Sequence, residues 1–201
     1  MLKIENFEEF NVVRAVYSAR NALNSWDKSD SDFDNNTVGA NDLDLAKRLY
    51  KAGSEHRKYL RQIFISMDIT APLYFWSQFD TYKVGTTANS CSKMHTLHKR
   101  DLTLDDFSTE HLNHVGSKSV LQDVIDCINL HRQVYVDTKA KENWYTMIQL
   151  LPSSFNQKRT VTMNLENAVN IINQRSNHKL DEWHTLCDFL KENTFLKNLI
   201  Q

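Results

Sequence analysis

Glycine and proline are scarce, at four and two of 201 residues. Turn-dense sandwiches and propellers use far more of both, so the scarcity points to long helices. Cysteine is scarce as well. Cys91, Cys127 and Cys187 lie far apart without Cys-x-x-Cys spacing. That argues against a disulfide framework and a zinc knuckle, and for a reducing compartment. No apolar run approaches the roughly 18 residues of a membrane span. The opening MLKIENFEEF lacks the charged-then-apolar layout of a secretory signal. The expectation is a cytoplasmic protein without a membrane partner. Neither charge dominates, with 24 Lys+Arg against 25 Asp+Glu and a formal net charge of -1. A global basic field is excluded, and no nucleic-acid partner is expected. GxSxG, HExxH and GxGxxG are all missing, so the enzyme classes built on them have no support. His111, His114, His131 and His184 do not converge on metal-ligand spacing, and no metal site is expected.

What is present suits one domain over residues 1–201, with 41% hydrophobic and 24% charged residues. Leu2 to Ile4 suits a short edge strand. Val12 to Leu23 reads as helix, with Val13, Val16 and Ala22 apolar. Residues 27–41, DKSDSDFDNNTVGAN, read as a polar surface loop. Asn41 is positioned to cap a helix from Asp42 to Ala52, and Gly53 suits its left-handed exit. Gln62 to Ile69 is rich in β-formers and reads as a strand. Pro72 opens a helix through Tyr82, and residues 83–98 read as a loop. Leu121, Val124, Ile125 and Ile128 fall at i, i+3, i+4, i+7 of a long helix from Lys118 to Leu151, stopped by Pro152. Thr160 to Met163 is strand-like. Two further helices follow, the first capped by Asn164, the second marked by Trp183, Leu186, Cys187 and Leu190. The fold class is α+β, helix-rich around a small mixed or antiparallel sheet.

Three polar clusters carry candidate chemistry. His56, Arg57, Lys58 and Arg61 crowd one short stretch; they need an anionic partner or open solvent. The segment 83–95 offers Lys83, hydroxyls including Ser90 and Ser92, and Cys91. It suits either a phosphate-wrapping loop or an ordinary polar one, with Cys91 either nucleophilic or inert. Arg175, beside Gln174, Asn177 and His178, lies at a junction between helices. It either neutralises helix-end carbonyls or clamps a phosphate. Trp76, Trp144 and Trp183 read as core aromatics.

The order of these segments resembles the flavin-dependent thymidylate synthases, the ThyX family, from about Leu43 to Phe189. APLYFWSQFDTYK (71–83) resembles the family helix that begins Ala-Pro and carries a glutamine before an Arg-His-Arg triplet. NSCSKMH (89–95) is similar to the Asn-Glu-x-Ser-x-Arg-Tyr that follows. LLPSSF (150–155) resembles the family's Leu-Pro turn. TMNLENAVNIINQR (162–175) matches the Thr-x-Asn-x-Arg…Leu-Arg helix without a gap, and HKLDEW (178–183) its continuation.

The resemblance implies a ThyX-like domain and a homotetramer with sites at subunit interfaces. It also implies transfer of a one-carbon group to C5 of dUMP or a related pyrimidine nucleotide. FAD would carry the redox chemistry, with NADPH and methylenetetrahydrofolate as co-substrates, so no side chain is assigned as catalytic. Residue by residue, Gln78, Ser92 and Arg175 stand at nucleotide-binding positions. Ser90 falls at the motif glutamate, and Lys83 closes the triplet position. His56, Asn164 and Asn170 match the flavin side in type, while Lys58 and Arg61 stand where the flavin loop has threonine and glutamate.

The departures remove cations. Thr81, Tyr82 and Lys83 replace Arg-His-Arg; Met94 and His95 replace arginine and tyrosine; Glu166 replaces an arginine. Loss of bidentate arginines deletes charge-assisted hydrogen bonds. Arg61 and Glu166 form a charge swap, and the expectation is that they pair and partly fill the flavin pocket. Three functions follow: a divergent methyltransferase or hydroxymethyltransferase, a nucleotide-binding protein that has lost flavin and catalysis, or a partner-binding subunit.

Overall fold

The structure, a computed structural model, describes residues 2–200. In chain order its elements are β1 (Lys3–Phe10), α1 (Val12–Ser18), α2 (Ala40–Lys51), β2 (Phe64–Pro72), α3 (Leu73–Phe79), β3 (Thr86–Ser90) and α4 (Lys93–Thr96). They continue with α5 (Ser117–Thr138), α6 (Lys141–Leu150), β4 (Asn156–Asn164), α7 (Leu165–Arg175), α8 (Asp181–Asn193) and α9 (Leu196–Ile200). The four strands form one antiparallel sheet in the order β1-β2-β4-β3. The fold class is therefore α+β.

The chain divides into two compact units. Among the described residues one holds 2–3, 69–81 and 89–159; the other holds 4–68, 82–88 and 160–200. In the first, α5 packs on α6. Leu121, Ile125, Ile128 and Met147 are buried together with Leu97, Leu102 and Phe107. Trp76, on α3, donates its indole N–H to the Gln157 carbonyl at 2.9 Å, and the Arg159 guanidinium covers its ring at 4.3 Å.

In the second unit, Leu165, Ala168, Val169 and Ile172 of α7 share its buried face, while Trp183, Leu186 and Leu190 of α8 are buried too. The sheet is pinned here by hydroxyl and carboxylate contacts. Ser66 meets Thr162 at 3.0 Å, and Asp68 accepts from Thr160 at 2.6 Å and from Asn6 at 2.8 Å. Such cross-strand pairs fix register where no large apolar side chain does so.

Several elements depart from the sequence expectation. The edge strand β1 runs eight residues, its edge charged by Lys3, Glu5, Glu8 and Glu9, which discourages pairing with another chain. Asn41 does not cap α2. Asp30 does, accepting from the Asn41 and Asp42 backbone N–H groups at 2.9 and 3.1 Å, and these bonds hold its carboxyl below its ordinary range. Asp42 is instead buried, accepting from Arg20, Ser29 and Ser31. That knot orders the polar stretch 27–41.

Residues 83–98 are not one loop. They contain β3, α4 and a 3-10 turn at Leu97–Lys99. The long helix is two, broken at Lys139, which takes φ 58°. Asn164 caps α7 as its residue type predicts, accepting from the Asn167 N–H at 3.0 Å. Gly53 takes φ 108° past the end of α2, a conformation suited to glycine.

Candidate functional site

An organised cation of the second unit is Arg175, the last residue of α7. The apolar face of α7 holds that helix down, and α8 presents the fully buried Trp183 beneath the arginine. Arg175 Nε donates to Tyr82 Oη at 2.9 Å. Tyr82 Oη donates onward to Gln174 Oε1 at 2.9 Å. The guanidinium carbon lies 4.9 Å from the Trp183 ring centroid and 5.7 Å from that of Tyr82, within cation–π range. One nitrogen is thus anchored and one face is stacked. The two terminal nitrogens make no hydrogen bond among the described residues, and Arg175 is half-buried.

His178 lies beside this group, 6.2 Å from Trp183 between ring centroids. Its Nδ1 accepts from the Leu180 N–H at 3.1 Å. Loss of solvation, then the nearby charges of Arg175, His184 and Lys179, pull its pKa below the usual histidine value. A fixed planar fork such as that of Arg175 binds a carboxylate, a phosphate or a pair of carbonyl oxygens.

The remaining nucleotide-side residues fall in both units. In the second unit, Lys83 is exposed, one residue beyond Tyr82. In the first unit, Gln78 is in the last turn of α3, Ser90 ends β3, and Ser92 is the N-cap of α4. The Ser92 carbonyl accepts from the Thr96 hydroxyl at 2.7 Å.

The flavin-side residues all belong to the second unit. His56, Lys58 and Arg61 are exposed. His56 and Lys58 line an open cleft of about 360 Å³ together with Tyr59, Gln62 and Asn21. Asn164 is occupied as a helix cap, and Asn170 is half-buried on α7. Asn167, which sequence reasoning passed over, donates to Thr86 Oγ1 at 2.8 Å and to the Val84 carbonyl.

The expected pairing of Arg61 with Glu166 is not what forms. Glu166 receives Arg57 in bidentate fashion, with Nε–Oε2 at 2.9 Å and Nη2–Oε1 at 3.0 Å. Side-chain exposure is 13% for Arg57 and 9% for Glu166. The cause is burial: Glu166 faces the core on the first turn of α7, where an uncompensated carboxylate is costly, and Arg57 is the half-buried cation of its cluster. Among the described residues no group of three or more His, Cys, Asp or Glu is placed to hold a metal.

No protein-family model and no curated protein matches the chain. Solved structures do. The chain is similar to thymidylate synthase X (ThyX) from Helicobacter pylori, crystallised with FAD and dUMP, with TM-score 0.71 and 15% identity over 100% of this chain and 96% of that one. A second structure of flavin-dependent ThyX from Helicobacter pylori, complexed with FAD and dUMP, gives TM-score 0.69 and 15% identity over 99% and 96%. The fold is that of the ThyX thymidylate synthases.

Two contacts occupy residues near the positions matched to the flavin side. Arg57 and Glu166 neutralise each other under burial, and Asn164 spends its side-chain oxygen on a backbone N–H. The sequence showed the charge swap but not its partner, because Arg57 and Arg61 are indistinguishable without burial. It also missed Tyr82 as the anchor of Arg175. The signal was available: Tyr82 stands at the histidine of the triplet, and an aromatic hydroxyl there needs a partner.

Proposed function

We propose that this chain is a pyrimidine-nucleotide-binding protein of the ThyX-like fold that has lost flavin-dependent one-carbon transfer. The observation that carries the reading is Arg175, its Nε tied to Tyr82 and its face stacked on Trp183, with both terminal nitrogens presented. Preorganisation lowers the entropy cost of binding, because the side chain is already ordered. Lys83, in the same unit as Arg175, is a further nucleotide-binding residue of this proposal, and a homotetramer is its assembly. The buried Arg57–Glu166 pair supports the loss of flavin, since neither charge is left for a dinucleotide.

A second reading has one observation of its own. His56 and Lys58 line an open cleft, a place where a flavin pyrophosphate can meet cations. In that reading the chain is a divergent synthase using FAD on dUMP, with NADPH and methylenetetrahydrofolate as co-substrates.

Equilibrium dialysis against dUMP and FAD together separates the two. Retention of dUMP with no flavin absorbance supports the binding protein. Stoichiometric retention of FAD overturns it and restores the enzyme.

A further inference from the structure

The first unit contains a cavity of about 260 Å³ that neither reading uses. Leu97, Leu102 and Phe155 supply apolar surface, and Lys93, Lys158 and Arg100 supply charge. Its lining takes Cys91 and Lys93 from the 89–95 segment and skips Ser90 and Ser92. Gln78 does not line it either.

Asp106 is the carboxylate on the wall, and it is already committed. It receives Arg100 in bidentate fashion, with Nη1–Oδ2 at 2.8 Å, and the Thr103 N–H at 2.9 Å. Burial alone raises its pKa; the hydrogen bonds from Arg100 and Thr103 outweigh that and hold it below the ordinary carboxylate value. Arg100 and Asp106 therefore cancel as a pair.

Lys93 is different. It is half-buried, and its ammonium makes no hydrogen bond or ion pair among the described residues. Burial, then repulsion from the Arg159 guanidinium, pushes its pKa down. Arg159 is itself balanced by Asp80 at 2.6 Å. The site thus has an uncompensated cation set against an apolar wall. Electrostatics asks for an anion there, and the wall asks for a hydrocarbon body attached to it. Size sets the limit: a cavity of roughly 150 Å³ holds benzene, and drug-sized ligands use about 300 Å³ or more.

We propose that this cavity binds a small organic anion, a carboxylate carried on a single ring or a compact chain, with Lys93 meeting the carboxylate and Leu97, Leu102 and Phe155 meeting the body. Binding shields Cys91, which is exposed and lines the same cavity.

The test follows iodoacetamide alkylation of Cys91 by peptide mass spectrometry in the full chain. Phenylacetate at saturation is expected to slow alkylation at least fivefold. Phenylacetamide, of the same shape without the charge, is expected to leave it unchanged, as is inorganic phosphate. Lys93→Met is expected to abolish the protection by phenylacetate, with an unchanged circular dichroism spectrum. No protection by phenylacetate overturns the proposal. Equal protection by the amide removes the cation from it, and equal protection by phosphate removes the apolar wall; either result also overturns it. Should Lys93→Met not fold, the comparison of acid, amide and phosphate on the unaltered chain decides alone.

Discussion

Arg175 and Glu166 sit on one helix and show how differently two charges are treated within eleven residues of α7. Arg175 is steered by an aromatic hydroxyl and an indole; Glu166 is neutralised under cover. Removing the Tyr82 hydroxyl frees Nε of Arg175 without touching its charge. Tyr82→Phe is expected to weaken dUMP binding several-fold at unchanged melting temperature, read by calorimetric titration. Glu166→Gln leaves Arg57 buried without its counter-charge. That change is expected to cost about 3 kcal/mol in urea unfolding, the range for breaking a buried pair. Glu9 gives a pH prediction. Burial raises its pKa, the Phe195 N–H bond lowering it only in part. The folded state then binds the proton more tightly than the unfolded one, so stability falls as pH rises from the unfolded glutamate pKa through the folded one. Glu9→Gln is expected to raise the melting temperature at pH 7, and that gain is expected to vanish well below the ordinary glutamate pKa, where the carboxyl is protonated in both states.

Helices with a clear apolar stripe were legible in the sequence, and elements that rely on backbone alone were not. The stripe of α7 and the cap at Asn164 are local signals and both appear. β3 reads TTANS, with no large apolar side chain and four of five residues exposed; it is a strand because a sheet edge offers it hydrogen bonds. The front of β4, NQKR, hides for a related reason. Gln157 is buried as a polar residue, donating to the Cys91 carbonyl at 2.7 Å and accepting from Arg159 at 3.1 Å, which no hydropathy pattern reveals.

The break between α5 and α6 carries no glycine or proline. Folding back buries Met147 with Ile125 and Ile128, and that gain outweighs the strain of a left-handed Lys139. Lys139→Gly is expected to stabilise the protein by about 0.5–1 kcal/mol in thermal or urea unfolding, since glycine takes this conformation freely. A loss of stability there means that the Lys139 ammonium, bonded to the Val136 carbonyl at 2.9 Å, matters more than backbone strain.

Across the whole molecule, 15% identity is compatible with a ThyX-like fold at TM-score 0.71 because the fold asks for patterned burial and the chemistry asks for specific side chains. Fold alone does not carry activity. The segment order was readable because apolar spacing survives divergence. The altered site was readable only in part, since the partner of Glu166 and the anchor of Arg175 are long-range choices made by packing.

The central claim is that a preorganised Arg175 holds a pyrimidine nucleotide. It is tested most directly by calorimetric titration of dUMP into the unaltered protein and into Arg175→Ala at equal melting temperature. Each charge-assisted hydrogen bond lost costs roughly 1.5–3 kcal/mol, and about 1.4 kcal/mol is a tenfold change in affinity. The account predicts saturable binding that weakens at least tenfold in the variant. Binding of the same affinity in both proteins, or no heat from either at millimolar dUMP, contradicts it.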